Sequence, residues 1–385
     1  AIAWGITNVM LDDCDYFIEK VDATDPAFYY SANNERMKFV FLRDTIEVKS
    51  GARIDSVFYD HRATTLSPVI SDATITKRPD SLFHYPATDR AFAHRYVLTV
   101  AWTAREQSDE FLAALRLLRC SSWRDFCSAL SSWGAPALNF SYADIHGNMG
   151  IAPSGYIPRR GAGNANFPHP HWESQYQWSG VIKNADWPRI YNPPTRYVAS
   201  ANNMTSRQYP VYLSSLWEPS SRAERIAEML NQYQDYTARD AQYMQMDVIS
   251  PNARFILRHV LPVLQRDSLS FSVEQRRGIR IMAGWDCSMS GVDETPTIYT
   301  SLHERLMKNV FEYKLSHDMY LRYAFEGGIP VRKLNEVLAD SAAKWFGPDP
   351  GYARSRRESC IRKSYREAWD QLVRLLPMLV AMLRP

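Results

Sequence analysis

The order of residues predicts an α+β protein, and three observations carry that prediction. Residues 1–104 read mostly as strand; residues 107–132 switch to helical period; residues 137–203 return to short strands, and from 218 onward the chain is largely helical. Strands gathered in some stretches and helices in others, without strict alternation, are the α+β pattern. On this reading residues 1–217 form a β-rich portion with one inserted helical pair near 105–133, and residues 218–385 a mainly helical portion of the same chain.

Each element has its own local signal. Phe39–Lys49 and Arg53–His61 are rich in β-branched and aromatic residues, and Ser50-Gly51-Ala52 between them has the form of a hairpin. Tyr96–Trp102 (YVLTVAW) is another short apolar strand. Phe111, Leu112, Leu115 and Leu118, then Trp123, Phe126 and Leu130, recur three or four apart, which is helical spacing. In ADIHGNMG (143–150) Gly147-Asn148 sits at the tip of a second hairpin. The loop GAGNANFPHPHW follows, and strands are expected around Tyr176–Trp178 and Tyr197–Ser200. Helices are expected over Ser220–Gln232, Ala238–Asp247, Asn252–Gln265, Val273–Trp285, Leu302–Glu312, Val331–Trp345 and Ile361–Leu376. Most carry an apolar stripe opposite a charged face, the signature of packing.

Composition narrows the function. Lys and Arg number 45 against 42 Asp and Glu, a net charge of +3, too even for a binder of polyanions. Hydrophobic residues at 45% and charged ones at 23% exclude disordered and low-complexity classes. The 11 Trp and 22 Tyr point either to a dense core or to an aromatic-lined pocket. The 5 cysteines, Cys14, Cys120, Cys127, Cys287 and Cys360, are too few for a disulfide scaffold and include no C-x-x-C pair; buried apolar thiols are the plain reading. No apolar run approaches the roughly 20 residues of a membrane span; the nearest, Gln371–Leu383, is short and contains Arg374 and Pro377. With the chain opening directly in AIAWGITN, no signal peptide is expected within it. A strand-like opening without lead-in and an apolar end lead us to expect the middle of a larger precursor.

No Walker A, dinucleotide-binding glycine pattern, G-x-S-x-G or H-E-x-x-H motif is present. His169-Pro170-His171 sits in an extended, proline-bound loop whose only nearby carboxylate is Glu173, so surface packing is preferred to a metal pair. Asp12-Asp13-Cys14-Asp15 can direct several oxygens to one side, with a backbone carbonyl between them. That is either the hard-oxygen set Ca²⁺ takes or a solvated loop. Asn202-Asn203, after the apolar RYVAS, either donates into a cleft as an oxyanion hole requires or caps a turn. Arg222 lies in the first turn of the next helix, against the dipole preference for acids there, and either serves a specific partner or faces solvent.

Taken together, AIAWGITNVMLDDCDYFIEK, NFSYADIHGNMGIAPSGYIPRR, YNPPTRYVASANN and IMAGWDCSM resemble the large β-chain of the penicillin acylase family, in that family's order and across nearly the whole chain. The resemblance implies an αββα four-layer sandwich of the N-terminal nucleophile hydrolase type, freed by autocatalytic cleavage of a zymogen. It implies hydrolysis of an acyl-amide bond in a β-lactam side chain, an N-acyl amino acid or an N-acyl homoserine lactone. The nucleophile would be an N-terminal Ser whose own α-amino group, with a pKa of roughly 7.7–8.0, acts as base. The backbone N–H of Asn8 and the side-chain amide of Asn202 would form the oxyanion hole, with Arg222 orienting Asn202. Asp12 and Asp15, with the carbonyls of Cys14 and Ala165, would hold Ca²⁺. The partners implied are a small acyl amide and an α-chain from the same precursor, with neither nucleic acid nor membrane; the compartment implied is the bacterial periplasm or the medium.

The sequence also departs from the family. The nucleophilic Ser belongs about sixty residues before the W-G segment, whereas here only two residues precede Ala3-Trp4, so the nucleophile is expected outside this chain. A further calcium-ligand Asp, expected between Asn203 and Trp217, is missing, because RQYPVYLSSLW offers no carboxylate. The family's H-G-P-V turn is replaced by Leu66-Ser67-Pro68-Val69. The family's C-terminal strands are expected to lie beyond Pro385. The isolated chain is therefore expected to be catalytically silent and, with sheet edges left open, prone to self-association. A non-catalytic scaffold of the same fold is the alternative, and an unrelated metal enzyme using Asp12, Asp15 and the His169/His171 loop a third.

Overall fold

The computed structural model describes residues 1–74, 95–163, 165–184, 187–204, 209–232, 235–340 and 344–382. The chain divides into two compact units, Ala1–Val198 with Thr205–Leu216, and Ala199–Met204 with Trp217–Pro385.

The first unit is built from sheets whose ladders are antiparallel except for the short parallel pairing of β11 (His169–Pro170) with β2 (Cys14–Val21). Strands β1 (Ile2–Asn8), β8 (Leu138–Asp144), β9 (Met149–Ser154) and β13 (Ile190–Tyr191) form a four-stranded sheet in the order β1-β8-β9-β13. The β8–β9 connection is the hairpin expected at 143–150, and Gly147 there takes φ 82°, open to glycine without a Cβ clash. A second sheet runs β11 (His169–Pro170), β2 (Cys14–Val21), β3 (Phe28–Tyr30), β4 (Arg36–Lys38), with β7 (Tyr96–Trp102) also pairing β2. Two further ladders join β5 (Val40–Ser50) to β6 (Arg53–Ala63), and β10 (Ile157–Pro158) to β12 (Val181–Ile182).

The helical pair is α1 (Glu110–Leu117) and α2 (Trp123–Ala129). Asp109 caps α1 by accepting the Leu112 N–H at 2.8 Å, and Ser122 caps α2 through the Asp125 N–H at 3.2 Å. Their apolar faces bury Leu117, Phe126 and Leu130 against Phe140 and Tyr142 of β8. Asn184 locks this layer: its amide donates to the Leu130 carbonyl at 2.8 Å and accepts the Gly155 N–H at 2.7 Å.

The second unit is helical: α3 (Ser221–Leu230), α4 (Ala238–Gln245), α5 (Pro251–Arg266), α6 (Val273–Gly284), α7 (Thr295–Phe311), α8 (His317–Phe325), α9 (Gly328–Ala339) and α10 (Pro350–Met382). Capping boxes open α4 (Thr237/Asp240) and α6 (Ser272/Gln275). Ile256, Val260, Leu264, Leu302, Leu306, Leu334, Leu338, Ile361 and Tyr365 interlock in one core, which accounts for the apolar stripes.

Several expectations need correction. Tyr197–Ser200 is not a strand; left-handed residues at Asn192 (φ 47°) and Arg196 (φ 60°) flank Pro193-Pro194 and break the extended run. Tyr176–Trp178 carries no strand either, and Ser174–Tyr176 is a single 3₁₀ turn. Helix α7 starts seven residues earlier than expected, at Thr295, because Pro296 sits in its first turn, where a missing N–H costs nothing. Helix α8 (His317–Phe325) lies outside the stretches expected to be helical, and α10 starts at Pro350 and runs beyond Pro377.

Candidate functional site

Asn202 and Arg222 belong to the second unit and meet there. Asn202 adopts φ 64°, a left-handed conformation uncommon for a residue with a Cβ and best tolerated by Asn. Its carbonyl accepts the Glu218 N–H at 3.0 Å, tying the 199–204 loop to the chain just ahead of α3. Arg222, the second residue of α3, donates from Nη2 to the Asn202 side-chain oxygen at 2.8 Å. A guanidinium offers donors only, so this contact fixes the amide: its oxygen faces the cation, and Nδ2 is the end able to donate. The cation at a helix N-terminus thus has a specific acceptor. Asn203 makes a turn contact instead, its Oδ1 accepting the Ala201 N–H at 3.1 Å.

Asn8 lies in the first unit, at the end of β1 opposite Leu138. Its side-chain oxygen accepts the Met10 N–H at 2.6 Å, and Met10 is itself left-handed (φ 56°). The strand therefore closes in a tight turn just before the acid run.

The acid run is held by a cation from elsewhere in the chain. Arg160 follows β10, and Trp178 precedes its partner β12; Arg159 and Gly180 pair through a 2.9 Å backbone bond, so both side chains leave one end of this ladder. Arg160 Nε donates to Asp15 Oδ2 at 2.9 Å and Nη2 to Oδ1 at 3.0 Å; Trp178 Nε1 donates to Oδ2 at 2.5 Å. Arg160 Nη2 also reaches the Asp12 carbonyl at 2.8 Å, and Tyr212 donates to Asp12 Oδ2 at 2.9 Å. Burial pushes the Asp12 carboxyl pKa up, against the opposing pull of Tyr212 and Arg160, and burial raises that of Asp13 as well. The Cys14 thiol is pushed up to about 11 by burial first and by the neighbouring carboxylates second, so it is no nucleophile at neutral pH.

The calcium set expected from the resemblance, Asp12, Cys14, Asp15 and Ala165, is not what the residues assemble. Asp15 accepts N–H donors on both carboxylate oxygens and Asp12 accepts the Tyr212 O–H on Oδ2; Cys14 opens β2 opposite Trp102, and half-buried Ala165 is not among the partners of either acid. Among the described residues no group of three or more His, Cys, Asp or Glu is arranged to hold a metal ion. The residues in place do not fit calcium.

His169 and His171 likewise part company. His169 stacks on Tyr176 with ring centres 4.5 Å apart. His171 turns inward from β11 to Glu19 of β2, Nδ1 to Oε1 at 2.7 Å, and Thr99 of β7 donates to the same oxygen at 2.7 Å. Sequence reasoning missed Arg160, Trp178, Tyr212 and the Glu19–His171 pair. A fully buried Glu in a strand is the one signal that demanded a partner, since such a charge is rarely left alone.

Comparison with known proteins accords with this architecture. The penicillin amidase family model matches residues 1–378. Penicillin G acylase of Escherichia coli is 28% identical over 293 residues, covering 74% of this chain and 31% of that protein. The acyl-homoserine lactone acylase QuiP of Pseudomonas fluorescens is 26% identical over 227 residues, covering 59% of this chain and 26% of that protein. This chain thus spans between a quarter and a third of these relatives. The solved structure of a thermostable penicillin G acylase from Alcaligenes faecalis superposes with a TM-score of 0.74 at 17% identity, covering 97% of this chain and 67% of that one, and so shares the α+β fold. With nearly its whole length matched by the family model, the chain belongs to the penicillin amidase family.

Proposed function

We propose that the parent of this chain is an amidohydrolase that cleaves an acyl-amide bond with an N-terminal serine supplied from outside these 385 residues. The observation that supports the proposal is the Arg222–Asn202 contact, which orients the amide with its oxygen toward the cation and its N–H₂ as the donor end. The serine Oγ bonds to the substrate carbonyl carbon while the α-amine of that same serine takes the hydroxyl proton. Negative charge gathers on the carbonyl oxygen, where Asn202 Nδ2 donates. The C–N bond then breaks, the amine leaves with the proton, and water releases the acyl group from the ester. Substrates of this class are N-acylated β-lactams, amino acids and homoserine lactones. Maturation from a precursor that also gives an α-chain, and export to the periplasm, belong to the same proposal. Among the described residues no helix is long and apolar enough to cross a membrane.

The test is the intact mass, by chain, of the full-length gene product, followed by turnover of a panel of aromatic and aliphatic acyl p-nitroanilides. Two chains, the larger starting at Ser, with turnover lost on Ser→Ala, are expected. A single uncleaved chain without turnover would replace this reading by a non-catalytic scaffold. The 385-residue chain alone is expected to be silent, because a donor without a nucleophile stabilises no intermediate.

A further inference from the structure

We propose that the Arg160 guanidinium is a resident cation occupying the place that calcium would take in the acid run, so that this cluster holds its shape without a divalent metal. The inference goes beyond the hydrolase reading and does not rest on it.

A calcium cage needs six to eight oxygens with lone pairs aimed at a common centre, roughly 2.3–2.6 Å away. In this cluster both Asp15 oxygens and Asp12 Oδ2 accept protein donors. The Asp15 carboxylate takes the forked contact of Arg160, with Nε also 3.2 Å from Oδ1, and Trp178 closes Oδ2. Asp12 is bridged through its carbonyl by Arg160 and through Oδ2 by Tyr212, while its Oδ1 lies 3.6 Å from Arg160 Nη2. The Arg160 side chain is only 9% exposed, with Asp15 at 6% and Asp12 at 10%, so little water screens these charges. Tyr212 and Trp178 present their rings to the guanidinium at 5.4 and 5.9 Å, a setting that suits a weakly hydrated planar cation.

Two consequences follow for metal. An arginine does not give up its proton, so its charge cannot be removed to admit an ion. A divalent cation among these oxygens would sit within a few ångströms of that fixed charge. The segment that reaches Asp12 from the far side supplies Tyr212, an O–H donor, and no residue between Asn203 and Trp217 is a carboxylate. The cluster is complementary to one planar monocation. Arg160 Nη1 has no partner among the described residues; the other guanidinium donors carry the contacts.

The experiment uses the full-length gene product, stripped with EDTA and melted with and without millimolar calcium chloride. A second readout is terbium luminescence sensitised by Trp178, which touches Asp15. The expected result is a melting temperature unchanged by calcium and no saturable terbium emission. Arg160→Ala is expected to melt lower and to gain a calcium-dependent rise, since the acids are then uncompensated. Arg160→Lys keeps the charge without the fork and is expected to melt lower while staying insensitive to calcium. A bound ion at a hundredfold its Kd would raise melting by roughly 1–4 °C in a protein of this length or longer. Such a rise in the parent protein, abolished by Asp15→Asn, would overturn the proposal. The parent protein decides the matter even if Arg160→Ala fails to fold.

Discussion

The oxyanion assignment is best tested at Asn202, and the backbone dictates which substitution is informative. Asn202 sits at φ 64°. Alanine there would add about 1–2 kcal/mol of left-handed strain and confuse folding with chemistry. Glycine takes that conformation freely, so Asn202→Gly removes the amide and leaves the loop path intact. Loss of one preorganised oxyanion donor costs a factor of about 10²–10³ in kcat, or about 2.7–4 kcal/mol. Arg222 acts one step back. It orients the amide through a single 2.8 Å charge-assisted bond, and losing it lets the amide turn its oxygen toward the reacting carbonyl. Arg222→Met is therefore expected to cost about tenfold in kcat, with KM little changed. The assay is steady-state hydrolysis of acyl p-nitroanilides by the full-length variants, after intact mass has shown each to be matured and a melt has shown each to be folded. A matured, folded Asn202→Gly enzyme whose kcat stays within about threefold of the parent would refute the donor role.

Three further outcomes follow from the structure. Glu19 is fully buried and accepts from Thr99 and His171, so Glu19→Ala is expected to destabilise by about 3–5 kcal/mol, and Glu19→Gln, which keeps an acceptor, by much less; equal denaturation midpoints for the two would contradict this. Burial acts to raise the Asp144 pKa, but bonds from Asn148, Tyr142 and His146 outweigh it and hold the group at about 2. The folded hairpin then binds fewer protons than the unfolded chain between its usual pKa near 4 and 2. Its stabilising contribution is complete above that window and disappears as pH falls through it, so Asp144→Asn should flatten the melting temperature profile on the acid side. Finally, Leu42, Ile46, Val48 and Val57 share one exposed face of the β5–β6 ribbon, with Ile46 directly opposite Val57. The isolated chain is expected to self-associate, and Ile46→Lys with Val57→Thr to shift light scattering toward monomer; a parent chain already monodisperse as monomer would count against that face.

What could be read from the sequence depended on how far apart the interacting residues lie. The β5–β6 and β8–β9 hairpins follow from turn chemistry within a few residues, and the helix stripes from a repeat within one element. The Asn202–Arg222 pair is only 20 positions apart and carried a local oddity, a cation in the first turn of a helix. Arg160 reaches Asp15 across 145 positions, and His171 reaches Glu19 across 152. No periodicity or spacing reports such a contact, because the sheet register that creates it is set by the whole of unit one. The acid run illustrates the consequence. Three carboxylates in four residues state a need for positive charge but not its source. A metal ion and a guanidinium satisfy that need equally well in sequence, and they are told apart only by whether the oxygens meet lone-pair acceptors or N–H donors. Here Trp178 and Tyr212 add two more donors to the same oxygens, which an ion could not use and a carboxylate pair bound to arginine can.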